Sequence, residues 1–374
     1  MLNLRRGVPF LLLLVIGLIP VGFGIRLMIN DVESQSSQSS LESISNEFFA
    51  SNLSDIEDWV NEQPITLKEL RGNVILLDFW TYSCVNCIRT LPYLRSWYER
   101  YGEDGLMIIG IHSPEFDFEK SLPNVKREVR RLNVPWPIAL DNARSTWREY
   151  GIHAWPTKIL IGKNGRIRHR YAGEGAYSDT EKLIRALLEE DGYVLDRLYA
   201  EAPIEPNFSE YRGITREIYG GALWAAYNFP PYLGNGKASN VDATEFVVPD
   251  KRVRGSFYLQ GIWRQTDESI VHSRPSPDFE DHILVSYLAG EVNSVLQNLG
   301  TDTFKVQVML DGSPIPREYR GSDVLWDAEK QKTYVMVKDD RMYQIIDSDK
   351  PGSHELLLAP ESENFALHTF TFGP

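Results

Sequence analysis

One stretch constrains this chain more than any other: Val74-Ile75-Leu76-Leu77-Asp78-Phe79-Trp80, seven residues with a single acid among apolar side chains. A strand with one wet face alternates polar and apolar residues, and this one does not. The run therefore predicts a central strand buried on both faces, with helices above and below it. The flanking sequence agrees. Ile88, Leu91, Leu94, Trp97 and Tyr98 recur at helical spacing in a segment from Cys84 to about Tyr101. Leu106–Ile111 reads as a second apolar strand, and Phe118–Leu132 as mostly helical with charges on its outer face. Lys158–Ile161 and Arg166–Tyr171 read as strands joined by Lys163-Asn164-Gly165, whose Asn-Gly pair signals a hairpin. Glu181–Glu190 closes the series as an amphipathic helix. This order is that of an α/β layer.

Past about residue 192 the texture changes. Short alternating strands such as His282–Leu288, Phe304–Leu310, Thr333–Val337, His354–Leu358 and Ala366–Phe372 take over, separated by turns such as Asp311-Gly312 and Pro351-Gly352. That spacing predicts an all-β sandwich. At the other end, Arg5-Arg6 precedes an uncharged run from Gly7 to Ile25, 19 residues long. As a helix it spans about 30 Å of hydrocarbon, and the arginines favour a cytoplasmic N-terminus. A single-span membrane anchor and a cleaved signal peptide both fit, and either puts the body outside the cytoplasm. Residues 31–46 are polar and Ser-rich, a tether. The expected organisation is 1–30 anchor, 31–52 linker, 53–192 α/β domain and 193–374 β-sandwich domain.

The formal net charge of -13 argues against nucleic acid and against broad adsorption to anionic lipid. The chain has two cysteines only, Cys84 and Cys87. They leave none for stapling a secreted scaffold. A zinc site needs two further ligands, and the seven histidines are scattered. No metal or cofactor is expected. Cysteines at i and i+3 can be bridged when the first sits at a helix N-terminus, where the dipole and free N–H groups stabilise a thiolate. Cys84 is then the attacking sulfur, and Cys87, one turn inside, the resolving one. Asp78, six residues earlier in an apolar strand, is costly to bury unless it is paired or does work. Beneath the pair it can take the proton of Cys87; the plainer alternative is a local bond at the strand end. Pro156, in Ala154-Trp155-Pro156-Thr157, begins a strand, and a cis bond there would set a backbone edge beside Cys84 for substrate. Pro92 should kink the helix.

Leu76-Leu77-Asp78-Phe79-Trp80, Cys84-Val85-Asn86-Cys87, Pro92 and Trp155-Pro156-Thr157 together resemble the thioredoxin superfamily, most nearly its membrane-anchored TlpA/ResA-like branch. The stretches from Trp80 to Cys87, Arg89 to Pro92 and Ile111-His112-Ser113-Pro114-Glu115-Phe116 resemble more narrowly the thioredoxin-like part of DipZ-type proteins. Thr215, Glu217, Tyr219 and Gly220 fit the T-x-E-x-Y-x-G start of that family's C-terminal domain, and Phe370-Thr371-Phe372-Gly373 its close. The resemblance implies a jelly-roll, carbohydrate-binding-module-like sandwich, with Cys84 as nucleophile, Cys87 as resolving thiol, Asp78 as buried acid and Pro156 as cis-proline. It makes Trp155, Pro156 and Thr157 a substrate-binding edge. It implies a protein-disulfide reductase acting on cysteine-containing exported proteins, fed by a separate membrane electron donor of the CcdA kind. Val85-Asn86 replaces the thioredoxin Gly-Pro, Ser83 stands where thioredoxin has Trp, and Trp155 is bulky. A peroxide-reducing redoxin is a rival, though the Pro-x-x-x-Thr/Ser frame before its cysteine is absent. A surface binding module with a secondary redox pair is another. Trp224, Tyr227 and Trp263 are candidate sugar platforms or, more simply, packing residues.

Overall fold

All seven residues of Val74–Trp80 are buried and extended. In this computed structural model they form the middle of a six-stranded sheet. The structure describes residues 49–192, 194–195, 203, 212–225, 232–236 and 242–374, which belong to one compact unit. The expected membrane segment, most of the linker and Tyr227 lie outside the described residues. Among the described residues no helix is long and apolar enough to cross a membrane.

The first region runs β1 (Trp59–Val60), β2 (Val74–Trp80), α1 (Val85–Tyr101), β3 (Leu106–His112), α2 (Leu122–Arg131), β4 (Ile138–Leu140), α3 (Ser145–Glu149), β5 (Thr157–Ile161), β6 (Ile167–Ala172) and α4 (Tyr177–Leu188). The strand order is β1-β4-β3-β2-β5-β6, with β2, β3 and β4 parallel and the other pairs antiparallel. This is the thioredoxin-like domain the sequence implied. Alternation along β2 splits the core. Val74, Leu76 and Trp80 pack with Cys87, Leu91 and Leu94 of α1. Ile75, Leu77 and Phe79 pack with Trp147 and Tyr150 on the opposite face. Asp78 shares the parity of Leu76 and Trp80, so the strand's period of two aims it at the dithiol face.

Two local expectations change, and one strand is new. The Phe118–Leu132 stretch breaks into a 3-10 turn, Asp117–Lys120, and α2. Pro123 is the reason. Its ring nitrogen has no hydrogen to donate inside a helix, so α2 starts just before it with Ser121 as cap. The closing helix begins at Tyr177, not Glu181. The strand β4 went unforeseen because three residues after Pro137 give no periodicity. At the hairpin, Gly165 takes a left-handed φ of 76°, as the Asn-Gly pair foretold. Residues 49–54 pack on this domain, with Ala50 N donating to Gly165 O and Ser54 N to Thr146 Oγ1, both at 2.9 Å. Through Pro92 the helix α1 runs on to Tyr101.

The second region is mainly β: β7 (Ile218–Tyr219), β8 (Thr244–Phe246), β9 (Ser256–Gln265), β10 (Ile270–His272), β11 (His282–Asn298), β12 (Phe304–Leu310), β13 (Ser313–Pro314), β14 (Val324–Asp327), β15 (Lys332–Val337), β16 (Arg341–Pro360) and β17 (Phe365–Gly373). Hydrogen bonds join all of them into one eleven-stranded sheet. The long strand β11 pairs along one edge with β9 through its first residues and with β17 through its last, and its ladder with β16 shifts register around Gly290. Apolar side chains such as Phe257, Val285, Val308, Leu358 and Leu367 fill its core. Trp263 belongs to that core, fully buried, with its indole N–H donating to Gln260 O at 2.7 Å. It is packing, and no platform for a sugar.

Candidate active site

The loop from β2 into α1 delivers both cysteines. Cys84 caps α1 in an extended conformation, φ -77° and ψ 115°, and its Sγ accepts the backbone N–H of Cys87 at 3.3 Å. A sulfur so placed faces the positive end of a 17-residue helix, where negative charge is stabilised. Cys84 is partly exposed and Cys87 buried. Burial and the neighbouring Cys84 sulfur push the Cys87 thiol well above its usual range. One sulfur is therefore placed to meet a substrate, and the other is a thiol that needs help to ionise.

Asp78 is 2% exposed, and its Oδ1 has no hydrogen-bond partner. Burial raises its carboxyl to about 7, against the pull of Lys158. It also contributes to the raised pKa of Cys87, so the two groups face one another electrostatically. An acid ionised near neutral pH and unsatisfied at one oxygen is suited to receive a proton. Lys158 is a site residue that pattern reading missed. It stands directly across from Asp78 in the β2–β5 register and is 1% exposed. Its Nζ donates to Gly173 O at 3.3 Å and lies 5.1 and 5.2 Å from the rings of Tyr171 and Tyr177. Burial lowers its pKa, and Asp78, Cys87 and Glu174 oppose that. One lysine in an apolar strand pattern, Lys158-Ile159-Leu160-Ile161, was the available signal.

The Trp155-Pro156 bond is cis. Pro156 O accepts Gly173 N at 2.7 Å, and Ala154 O accepts Thr157 Oγ1 at 2.7 Å. Trp155 turns onto Trp147, ring centroids 4.4 Å apart, and its N–H donates to Ser113 O at 2.9 Å. Ser83, just before Cys84, is buried and donates to Glu119 Oε1 at 2.5 Å. The other Glu119 oxygen accepts Glu115 N and Phe116 N at 2.6 and 3.0 Å. His112 stacks on Tyr82 and is held neutral, its pKa pushed down by burial to about 3. The β-rich region reaches this face as well. Glu291 of β11 pairs with Arg89 of α1 at 2.5 Å, and a cleft of about 200 Å3 opens between Val85, Ile88, Met342 and Asn293. Among the described residues no group of three or more His, Cys, Asp or Glu could hold a metal ion.

Two family models match the chain. One, the AhpC/TSA family, covers residues 49–170, and the other, a thioredoxin like C-terminal domain, covers 215–373. Protein DipZ of Mycobacterium tuberculosis is 32% identical over 328 residues, 87% of this chain and 43% of DipZ. Thiol-disulfide oxidoreductase ResA of Bacillus cereus is 29% identical over 125 residues, 33% of this chain and 69% of ResA. Human NHL repeat-containing protein 2 is 34% identical over 232 residues, 60% of this chain and 29% of that protein. The chain thus spans less than half the length of DipZ.

Proposed function

From a chain that belongs to the thioredoxin superfamily, with its two domains in DipZ-like order, we propose a thiol–disulfide oxidoreductase that reduces protein disulfides through Cys84 and Cys87. One observation carries the reading: an accessible sulfur at a helix N-terminus, bonded to the N–H of a buried second cysteine, over an unsatisfied buried acid. The Cys84 thiolate attacks one sulfur of the substrate disulfide, forming a mixed disulfide and releasing one substrate thiolate. Cys87 gives its proton to Asp78 and attacks Cys84 Sγ. That step closes the Cys84–Cys87 disulfide and releases the second substrate sulfur as a thiolate, which takes up a proton from Asp78 or water, so two electrons pass from dithiol to substrate. A separate reductant then restores the dithiol.

Trp155, Pro156 and Thr157 form the substrate-facing edge in this reading. The exported body, the N-terminal anchor and an electron donor of the CcdA kind extend it, resting on the Arg5-Arg6 and Gly7–Ile25 pattern and on the resemblance of the motifs to DipZ-type proteins. The β-rich region reads as a sandwich whose packed face serves the thiol site.

Redox titration of the pair against dithiothreitol tests the proposal. A potential near or below about -250 mV is expected of a reductant. A value near about -120 mV would reverse the direction, and a pair that forms no disulfide at any potential would end the reading. Cys87→Ser should accumulate mixed disulfides with protein substrates, whereas turnover of peroxide by the same variant would favour the redoxin alternative.

A further inference from the structure

Two sequence motifs take no part in that chemistry, yet the fold brings them together. Glu115 belongs to Ile111-His112-Ser113-Pro114-Glu115-Phe116, and Glu217 and Tyr219 to the T-x-E-x-Y-x-G segment. Tyr219 Oη donates to Glu115 Oε1 at 2.8 Å. The same hydroxyl is hydrogen-bonded to Glu217, which also accepts Thr369 Oγ1 at 3.2 Å. A phenol has one hydrogen to give. With two carboxyl groups on it, one of them must be protonated and donate back to the phenol oxygen. Burial and the mutual repulsion of the acids agree with that count: Glu115 is raised well above the usual carboxyl range, and burial lifts Glu217 to about 7.

The cluster leads to the dithiol. Glu115 N and Phe116 N are held by Glu119, which holds Ser83, the residue before Cys84. Ser113, at the other end of the same loop, holds Trp155. Among the described residues the charged and titratable groups around it include Arg144 on Pro114 O, Asp117, Glu119, Glu268 on Asp117 N, His368 against Phe116, and Tyr232, whose ring lies 6.2 Å from that of Tyr219. On the oxidoreductase reading above, we propose that Tyr219 is a positioning residue for the dithiol: with Glu217 it clamps Glu115 through one carboxyl proton, and through Glu119 and Ser83 it fixes the backbone that presents Cys84. The β-rich region is then a working part of the thiol site.

The test uses the full chain and follows protein-disulfide reduction, and alkylation of the exposed thiol by iodoacetamide, from pH 5 to 9. In the wild type the clamp loses its proton as pH rises through neutrality, so the rate should fall below what thiol ionisation alone gives. Tyr219→Phe should lower kcat/KM by on the order of 10-fold at pH 6, where the clamp is closed. Glu217→Gln donates where the protonated carboxyl did but cannot titrate, so it should flatten the falling limb. If Tyr219→Phe, folded by circular dichroism, matches the wild type at every pH, the inference is overturned. If the falling limb persists in Glu217→Gln, it is overturned too. Should Tyr219→Phe fail to fold, Glu217→Gln decides alone. A wild type that exchanges no disulfide at all would defeat the functional reading instead.

Discussion

Asp78 and Glu115 are both carboxyl groups raised by burial, one in the strand that leads to the dithiol and one joined to it only through Glu119 and Ser83, but their neighbours differ in charge. Burial raises the Asp78 carboxyl, and a cation facing it across one strand register, Lys158, restrains the rise to about 7. That acid can be ionised when a thiol needs its proton removed. Burial first, and then a second acid, Glu217, across a phenol, push Glu115 well above the usual carboxyl range, while burial lifts Glu217 itself to about 7. A carboxyl that keeps its proton is a hydrogen-bond donor, useful as a joint and useless as a base. Desolvation raises both carboxyls; the nearest charge opposes it at Asp78 and adds to it at Glu115.

The sharpest way to break this contrast is Asp78→Asn. It removes the proton acceptor and should slow resolution of the mixed disulfide by about 100-fold at pH 7. The deficit should narrow only at strongly alkaline pH, because burial and the Cys84 sulfur hold the Cys87 thiol well above its usual range. The same change should stabilise the fold. The carboxyl is raised from 3.8 to about 7, so its contribution is fully present below pH 3.8 and lost as pH rises through 7. Above pH 7 the wild type carries a penalty of roughly 4 kcal/mol that Asn lacks, at about 1.4 kcal/mol per pKa unit. Urea unfolding at pH 4 and pH 8 measures it; equal stability of the two proteins at pH 8 would mean the acid is not desolvated.

How much of this was legible beforehand follows the same division. Val74–Trp80 announced a central strand because burial on both faces leaves no other pattern, and its one acid announced itself by being the exception. Cys84 and Cys87 were legible because a spacing of three is local. Lys158 was not, since its meaning depends on which residue of β2 the register sets opposite it. The Tyr219 clamp was less legible still. Its members lie 104 residues apart, and only the packing of the β-rich region on the first brings them together. Glu115 and Tyr219 were visible as members of motifs, but a motif states which residues recur and not what they touch.

Lys158→Met sharpens the comparison by making Asp78 resemble Glu115. Without the cation, the Asp78 carboxyl rises further above 7 and holds its proton at neutral pH. The pH midpoint for resolution of the mixed disulfide should move up by about one unit, which is tenfold in rate at pH 7. Lys158→Arg keeps the charge and should retain most of the wild-type midpoint. Stopped-flow measurement of the resolving step gives both. A wild-type midpoint in Lys158→Met would remove the lysine from the account and leave Asp78 governed by burial alone.

Glu291 supplies the smallest expected effect and the control. It too joins the β-rich region to the active-site helix, through Arg89 at 2.5 Å, but both side chains keep about a fifth of their surface in water. Water and salt screen such a pair, so Glu291→Gln should cost only about 0.5–1 kcal/mol, with most of that gone at 1 M salt. Neither limb of the pH profile should move, because no shared proton is involved. Denaturant unfolding at low and high salt reads the first part, and the exchange rate between pH 5 and 9 reads the second. A pH shift in Glu291→Gln as large as that in Glu217→Gln would mean that any charge crossing between the two regions tunes the dithiol, and the distinction between a screened ion pair and a buried proton clamp would fail.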